Sequence, residues 1–467
     1  MPDQPQHPSH PPSVERILAI LRASGEAEAS EPAALTTLAR AVIDEERWRL
    51  ASGAPPTPDG ALAEAVLARI DELLDPRLTI PPHVINATGV VLHTNLGRAP
   101  WPRAARAAAL AAARTYGYLE LDEGTGRRGP RFRSAEEHLV ALTGAEDAMV
   151  VTNNAAALLL AVGLVGRRGS LVVSRGELVE IGGGVRIPEI VARAGARLIE
   201  VGTTNRTRAV DFEAPLADGR AKAVLRVHPS NFAQSGFTES ADLAEVAAIA
   251  HRHGAIVIDD LGSGALLDTA AFGLAHEPTP GERLAAGADI VLFSGDKLVG
   301  GPQAGLIVGR SDLVAKLRRD PLARAVRPDK AILAGVAATL AIYRAGRAAL
   351  DIPVWEMIVM APEALRARAE WIRDQVAAEA GGRSDIVVVA LESTVGGGSL
   401  PGQVLPSFGV SVPAASPSRA AGVLRKGPNR ILARIVDGAV VFDLRTVPAF
   451  ADGVIVRRIA DMAPPRS

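Results

Sequence analysis

The sequence predicts an α/β protein whose main domain is built on a mostly parallel sheet. Seven short apolar runs, each typical of a buried strand, recur between residues 148 and 308, and helical stretches separate most of them. That alternation favours parallel strands joined by helices. Helical patterns precede this domain, and further strands and helices follow it. The sequence therefore also predicts a small N-terminal helical domain and a small C-terminal α/β domain.

The main domain is predicted from the apolar runs at Ala148–Val151, Leu171–Val173, Leu198–Val201, Ala223–Val227, Ile256–Ile258, Ile290–Phe293 and Leu306–Val308. The clearest helical stretches between them are Ala155–Leu164, Ile187–Ala194 and Ser240–His253. A helix from about Ala331 to Leu350 is predicted to lead into the C-terminal domain. That domain is predicted to hold a helix at Glu363–Ala380, strands at Ile386–Ala390, Arg430–Ile435 and Val440–Asp443, and a glycine turn at Gly396–Gly398.

The N-terminal region divides into a tail and a helical module. Residues 1–12 are rich in proline and polar residues, so we expect a disordered tail. Ser13 is a candidate N-cap for a first helix, and further helices are predicted from Pro32 to Leu50 and from Ala61 to Leu74. The predicted boundaries are a helical domain at 13–75, a core domain at 76–340 and a small domain at 341–467. The residues alone leave open whether the helical module binds RNA or serves dimerisation or packing.

Composition excludes several classes of site. The 467 residues carry a net charge of −1, so a nucleic-acid partner would need a local basic patch, and nothing indicates DNA binding. Cysteine is absent, which excludes disulfides, cysteine-ligated metals and cysteine nucleophiles, and no metal site is predicted. No apolar run approaches the roughly 18–20 residues that span a bilayer. The N-terminus lacks the pattern of a signal peptide, so we expect a cytoplasmic protein.

One lysine stands out because lysine is scarce. Five of the 51 basic residues are lysines, at positions 222, 297, 316, 330 and 426, and the other 46 are arginines. Lys297 follows the apolar run Ile290–Phe293 and precedes the turn Gly300-Gly301-Pro302. Burial would lower the pKa of this amine and suit it to form a Schiff base, which arginine cannot do. Lys297 is our candidate for carrying pyridoxal phosphate; the alternative is an ordinary lysine in a turn.

Two further segments suit the same cofactor. Asp259 and Asp260 end a strand at the edge where open α/β sheets bind ligands, and pyridoxal phosphate needs an acid to hold a proton on its pyridine nitrogen. The residues do not decide between the two acids, and one or both could instead cap a turn. Thr152–Ala157 runs from a strand directly into a helix, whose first amides could hold a phosphate. Many α/β turns look similar, so this signal is weak.

Arginines on both sides of Lys297 could bind an anion. Arg98 lies near the end of Ile85–Pro100, a segment in which polar residues interrupt an apolar strand. It also begins the most basic stretch of the chain, Arg98–Arg133, which includes the glycine-rich loop Gly124–Arg131. Arg324 and Arg327 are three residues apart and share a face if their segment is helical. A solvated charge run and an ordinary strand with its turn remain the alternatives.

Several of these segments together resemble one family, the bacterial selenocysteine synthases (L-seryl-tRNA(Sec) selenium transferases). The resemblance extends from about residue 12 nearly to the C-terminus. The matching segments are Pro12–Val14, Gly89–Arg98, Gly126–Gly129, Ser174–Gly183, Val201–Arg206, Asp260–Gly264, Phe293–Gly305 and Gly396–Pro401. The segment around Ser294-Gly295-Asp296-Lys297 is the most specific. His228–Phe232 matches with two changes, and the first helices match only loosely.

The resemblance implies a fold-type I pyridoxal-phosphate transferase, similar to aspartate aminotransferase. It implies that Lys297 forms the Schiff base, that Asp260 holds the pyridine nitrogen and that Asp296 is the acid beside the lysine. Asn153, Asn154, Ala155 and Ser294 would complete the cofactor site. Arg98, Arg324 and Arg327 would bind selenophosphate.

The implied reaction converts seryl-tRNA(Sec) to selenocysteinyl-tRNA(Sec) through an aminoacrylyl intermediate. The N-terminal helices would hold the tRNA, and the enzyme would form a ring-shaped homo-oligomer, a decamer built from five dimers. One alternative is a related β-eliminase or ammonia-lyase acting on a small amino acid or an amino-sugar acid. Another is a non-catalytic RNA-binding scaffold, against which the intact motifs of Lys297 and Asp260 argue.

Overall fold

A computed structural model describes residues 10–25, 30–75, 80–129, 131–166, 168–181, 184–229, 232, 234–379, 385–427 and 429–462. The chain divides into two compact units, residues 1–83 and 84–467. Residues 1–9 of the predicted tail at 1–12 lie outside the described residues, as do Ser230 and Asn231 of the His228–Phe232 motif. No helix in the described ranges is long and apolar enough to cross a membrane.

The N-terminal unit is a set of helices around a small core. Its helices are Val14–Ser24, Pro32–Ala51 and Asp59–Leu74. Ser13 caps the first helix as predicted, since its side chain accepts a hydrogen bond from the backbone N–H of Arg16. Ile17, Leu21, Ala39 and Val66 are fully buried or nearly so and join the three helices in one apolar cluster.

The larger unit is organised around a seven-stranded sheet in the described part of the chain. Its strands are β2 (Asp147–Val151), β3 (Ser170–Ser174), β6 (Arg197–Val201), β7 (Ala223–Val227), β8 (Ile256–Gly262), β9 (Ile290–Ser294) and β10 (Gly305–Gly309). They lie in the order β2-β10-β9-β8-β7-β3-β6. All seven predicted apolar runs are strands of this sheet.

The sheet is parallel except at one strand. β6, β3, β7, β8 and β9 pair in parallel, whereas β10 runs antiparallel to both of its neighbours, β9 and β2. Every residue of β7, β9 and β10 is buried, because apolar clusters cover the sheet on both faces. The parallel strands end at the same edge, and the predicted site residues follow them there.

Helices connect and cover these strands. Those described in the larger unit are Arg103–Arg114, Ser134–Thr143, Asn154–Val162, Ile187–Arg193, Glu213–Ala217, Leu243–Arg252, Pro280–Ala285, Ser311–Arg319, Pro321–Ala325, Lys330–Arg344, Ala348–Asp351, Pro353–Val359, Pro362–Glu379, Pro417–Leu424 and Asp452–Ala460. The helix expected at 331–350 is therefore divided, with a break after Arg344. Arg324 lies in a short helix that ends at Ala325, so Arg327 does not share a helical face with it.

A second sheet belongs to the C-terminal part of the unit. It contains β1 (Val84–Ala87), β11 (Val387–Gly396), β12 (Ser399–Pro413), β13 (Arg430–Val436) and β14 (Ala439–Asp443), in the order β1-β13-β14-β12-β11. A two-stranded ribbon, β4 (Glu180–Ile181) with β5 (Val185–Arg186), stands apart. The sequence did not predict the long strand β12, whose proline and glycine residues interrupt its apolar pattern.

The edge strand β1 comes from far away in sequence. It pairs in parallel with β13, and the segment after it continues along β11, where Leu92 N–H donates to Val395 O at 2.7 Å. The C-terminal sheet therefore draws on both ends of the unit. Because residues 84–467 form one compact unit, a boundary near residue 340 stays a prediction.

Candidate active site

Lys297 lies in a turn at the end of β9, in the wall of a cavity of about 320 Å³. Its neighbours on the chain, Asp296 and Leu298, are buried. Burial lowers the pKa of the Lys297 amine, and Arg98 lowers it further, while the carboxylates of Asp260 and Asp296 act in the opposite direction. The amine is therefore closer to its neutral, nucleophilic form than a surface lysine would be.

Asp260 faces the same cavity from β8 and is 6% exposed. Asn154 Nδ2 donates to its Oδ1 at 2.7 Å, and the backbone N–H of Gly262 donates to the same oxygen at 3.1 Å. Burial raises the pKa of Asp260 to about 6, against the effects of the Asn154 hydrogen bond and the Lys297 charge. The pairing register of β8 with β9 shifts between Asp260 and Gly262, an irregularity that can re-aim side chains next to a site.

Asp259 points to the other face of the sheet, because neighbouring residues on a strand alternate. It is fully buried and pairs with Arg283, whose Nη2 donates to Asp259 Oδ1 at 3.1 Å. The residues alone left the two acids equal, and the structure separates them in the sense that the resemblance implied. Asp260 is available to the cavity, and Asp259 is neutralised by an arginine elsewhere.

The helix Asn154–Val162 begins at the wall of the cavity. Asn153 is its N-cap and accepts from the backbone N–H of Ala156 at 2.9 Å. Asn153, Asn154 and Ala155 line the cavity, as does Ser294 at the end of β9. The structure therefore brings together all six residues that were predicted to bind the cofactor. The positive end of the helix dipole faces the cavity, which favours an anion there.

Two buried polar atoms in the described part of this wall lack a hydrogen-bond partner. Among the described residues, Asn154 Oδ1 and His228 Nδ1 make no hydrogen bond. Buried polar atoms are usually satisfied, so unpaired ones in a cavity wall mark places where a bound group can supply the partner. Together with the lysine, the buried acid and the helix N-terminus, they fit pyridoxal phosphate.

Arg98 links the segment after β1 to the lysine turn. Its backbone is in the left-handed region with φ 62°, which is uncommon for a residue other than glycine. Arg98 Nη1 donates to Asp296 Oδ2 at 2.8 Å, and Ala99 N–H donates to Asp296 O at 3.3 Å. Asp296 therefore holds the guanidinium of Arg98 at the cavity that contains Lys297.

The three predicted arginines are not all brought together within one chain. Arg98 lines the lysine cavity, whereas Arg327 lines a neighbouring cavity of about 620 Å³ together with Asp296. Gln303 lines both cavities and lies between them. Arg327 also pairs with Glu120 at 2.7 Å. Arg324 is exposed and lines neither cavity.

The glycine turn between β11 and β12 also reaches the lysine cavity. Gly397 and Gly398 line it, and both have positive φ. A Cβ on Gly397 would lie 2.6 Å from Cβ of Leu92, so a side chain cannot be accommodated without displacing the segment that leads to Arg98. The C-terminal sheet thereby contributes directly to the site.

His228 is a site residue that the sequence reasoning used only as part of a motif. It follows β7 directly, lines the cavity, and its backbone N–H donates to Asp260 O at 2.9 Å. Burial lowers the pKa of its imidazole, while Glu277, with Oε1 3.7 Å from Nδ1, acts in the opposite direction. The rule that ligands bind beyond the carboxyl ends of parallel strands could have identified it from sequence.

Comparison with known proteins decides the family. The family model for L-seryl-tRNA selenium transferase matches residues 84–448. A relative from Moorella thermoacetica, named L-seryl-tRNA(Sec) selenium transferase, is 46% identical over 415 residues, covering 88% of this chain and 87% of the relative. A relative of the same name from Rhizobium meliloti (strain 1021) is 46% identical over 440 residues, covering 93% of both chains.

The chain belongs to the L-seryl-tRNA(Sec) selenium transferase family.

Selenium transferases of this family depend on pyridoxal phosphate, in agreement with the site described above. The fold agrees as well. The solved structure of D-glucosaminate-6-phosphate ammonia-lyase is similar with a TM-score of 0.58 at 21% identity, covering 83% of this chain and 98% of the lyase. The predicted fold class, a fold-type I pyridoxal-phosphate enzyme, is confirmed.

Proposed function

We propose that this chain converts seryl-tRNA(Sec) to selenocysteinyl-tRNA(Sec), with selenophosphate as the selenium donor. The main support is the cavity lined by Lys297, Asp260 and the helix N-terminus at Asn154. This cavity occurs in a chain that belongs to the selenium transferase family. The match to the Rhizobium relative covers 93% of the chain, so it must include most of residues 1–83. A helical unit in that position supports the tRNA as substrate.

The cofactor residues have separable tasks. Lys297 would hold the cofactor covalently through Nζ, Asp260 would face its pyridine nitrogen, and the backbone around Asn153, Asn154 and Ala155 would bind its phosphate, with Ser294 beside them. When bound, pyridoxal phosphate withdraws electrons from Cα of the seryl group, which permits loss of the Cα proton and then of the β-hydroxyl. The Lys297 amine, set free when the seryl amino group takes its place on the cofactor, would take that proton, and burial lowers its pKa toward this task.

The arginines are proposed to bind the donor. Guanidinium groups bind phosphate-like anions through paired, charge-assisted hydrogen bonds. Arg98 lies in the lysine cavity, and Arg327 lies in the neighbouring cavity. Selenium would add to Cβ of the substrate, and water would displace selenium from phosphorus, so that the Se–P bond breaks and the phosphoryl group leaves as phosphate. Asp296 would keep Arg98 oriented through their ion pair. Arg324 would join them if another subunit completes the site.

Assembly and location complete the proposal. We propose a cytoplasmic homo-oligomer, a decamer of five dimers, in which the N-terminal helical domain (13–75) binds the tRNA. The division of the rest into a core domain at 76–340 and a small domain at 341–467 is part of the same proposal.

The direct experiment combines the purified protein with seryl-tRNA(Sec) and selenophosphate. The amino acid is then released from the tRNA and identified by mass spectrometry. We expect selenocysteine from seryl-tRNA(Sec) and unchanged serine from seryl-tRNA(Ser), which serves as the matched control. Unchanged serine on both tRNAs, with ammonia released from free amino acids or amino-sugar acids, would contradict the proposal and favour a lyase.

A further inference from the structure

A buried tyrosine and tryptophan contact the backbone directly after Lys297. Tyr343 lies in the helix Lys330–Arg344 and is 6% exposed, and Trp355 lies in the helix Pro353–Val359 and is fully buried. The Tyr343 hydroxyl is 3.0 Å from Leu298 O and 3.0 Å from Val299 O. Trp355 Nε1 donates to the same hydroxyl at 2.6 Å.

The direction of these hydrogen bonds is fixed by chemistry. An indole N–H can only donate, so the Tyr343 oxygen must accept from Trp355. The hydroxyl proton must then point to the two carbonyls, which can only accept. Neighbouring hydrogen bonds of this kind polarise and strengthen one another in a buried setting. The tyrosine therefore cannot rotate to another partner without leaving buried polar groups unpaired.

The peptide groups that follow Lys297 are fixed from both sides. Lys297 O accepts from Gly300 N–H at 2.9 Å, and Leu298 N–H donates to Ser263 O at 3.1 Å. The Tyr343 hydroxyl holds the next two carbonyls. Three consecutive peptide groups after Lys297 thus have a hydrogen-bond partner in the described structure.

The same two helices also enclose the turn sterically. Gly300 has φ +71°, and a Cβ there would lie 2.4 Å from Cγ2 of Ile352, the residue just before the helix Pro353–Val359, and 3.6 Å from Cβ of Val354 within that helix. A Cβ on Gly301 would lie 2.9 Å from Oγ1 of Thr339. The turn is therefore packed against the helices that carry Tyr343 and Trp355, with no space for side chains at either glycine.

We propose that Tyr343, supported by Trp355, is a positioning residue that sets the direction from which the Lys297 amine enters its cavity. Neither aromatic side chain lines that cavity, so their effect is transmitted through the backbone of Leu298 and Val299. The inference rests on the proposed role of Lys297 as the cofactor lysine. A small displacement of that backbone would move the amine relative to Asp260 and Arg98, the charges that act on its pKa.

The test uses the full-length Tyr343→Phe variant, which removes only the hydroxyl. The matched control is Thr143→Val, which removes a buried hydroxyl that donates to Leu139 O and accepts from the backbone N–H of Ala145. Hydrogen–deuterium exchange of the cofactor-free proteins should be about tenfold faster in the peptide covering 295–303 of Tyr343→Phe, as expected for loss of one hydrogen bond. The control should leave that peptide unchanged.

A second measurement separates positioning from stability alone. Pyridoxal phosphate is added, and the visible band of the lysine-bound cofactor is followed as a function of pH. We expect the midpoint of this titration to shift by about 0.5 unit or more in Tyr343→Phe and to stay in place in Thr143→Val. If Tyr343→Phe does not fold, Trp355→Phe, which removes only the supporting donor, should show a smaller shift in the same direction.

The outcomes distinguish this inference from the proposed function. If the exchange rate of the 295–303 peptide is unchanged in Tyr343→Phe, or if it rises while the midpoint of the pH titration stays the same, the positioning role is overturned. The proposed role of Lys297 still stands in that case, provided that the wild-type protein forms the visible band. A wild-type protein that forms no visible band overturns the role of Lys297 itself, and the positioning role with it.

Discussion

Asn154 Nδ2 donates a hydrogen bond of 2.7 Å to Asp260 Oδ1, joining residues that are 106 positions apart in sequence. Asn154 begins the helix whose N-terminus favours the cofactor's phosphate, and Asp260 is the acid proposed to face its pyridine nitrogen. This one contact therefore connects the two groups that would hold opposite ends of the cofactor. Lys297 enters the same cavity from the next strand of the sheet.

Asp260 makes the stability of the cofactor-free protein depend on pH. Burial raises its pKa to about 6, so the folded protein binds this proton more tightly than the unfolded chain does. Its contribution to stability is therefore present at low pH and is lost as pH rises from about 4 to about 6. At pH 7 the buried charge costs about 3 kcal/mol by the size of this shift.

Asp260→Asn should remove that dependence. In urea unfolding of the cofactor-free protein, we expect a flatter stability profile between about pH 4 and 6 and a gain of up to about 3 kcal/mol at pH 7. Asp259→Asn is the matched control, and it should destabilise the protein because it leaves Arg283 without its charge partner. A variant Asp260→Asn with the wild-type profile would show that Asp260 is not held in a charge-disfavouring site.

The arginines are tested by their effect on the selenium donor. Arg98→Gln and Arg327→Gln should each raise the KM for selenophosphate about ten- to a hundredfold, because each removes a charge-assisted hydrogen bond worth about 1.5–3 kcal/mol. Binding of seryl-tRNA(Sec) should change little. The control is Arg319→Gln, because Arg319 is an exposed arginine at the end of the helix Ser311–Arg319.

The variant Arg324→Gln tests whether a second subunit contributes to the donor site. Arg324 lines neither of the two cavities in one chain, so an effect equal to that of Arg327→Gln would indicate that a second subunit brings it to the donor. If the KM for selenophosphate stays at the wild-type value, Arg324 does not belong to the donor site.

The N-terminal unit is proposed to carry tRNA recognition. Removal of residues 1–83 should abolish binding of seryl-tRNA(Sec) in a filter assay and should leave the visible band of the bound cofactor, since the cavity is built entirely from residues beyond 83. Removal of residues 1–12 alone is the control and should leave tRNA binding unchanged. Undiminished binding after the longer truncation would place tRNA recognition in the larger unit.

The sequence predicted the central sheet well because each of its strands is a short, continuous apolar run. It failed where structure depends on distant pairing. Strand β1 joins β13, more than 300 residues away, and β12 carries prolines and glycines that hide its apolar pattern. Arg324 and Arg327 would share a face only if their segment were helical throughout, and the helix there ends at Ala325, because neither the 3.6-residue period nor the charges fix where a short helix ends.

Part of the site could also be predicted from the sequence, because several of its residues lie next to apolar strands. Lys297, Asp260 and Asn154 each follow or end an apolar strand, so the edge rule for α/β sheets brings them together. The same rule could have found His228, but it could not separate Asp259 from Asp260 until Arg283 was seen beside Asp259. Tyr343 and Trp355 lie in ordinary amphipathic helices, and only the folded structure shows their contact with the lysine turn.

The most direct test of the central claim is to locate the covalently bound cofactor. The purified protein is loaded with pyridoxal phosphate and reduced with borohydride, and its peptides are analysed by mass spectrometry, with Lys297→Arg and the exposed-lysine variant Lys316→Arg alongside. We expect the cofactor's mass on the peptide that contains Lys297, in the wild type and in Lys316→Arg, and no adduct in Lys297→Arg. An adduct on any of the other four lysines, or none in a protein that still produces selenocysteinyl-tRNA(Sec), would contradict the account.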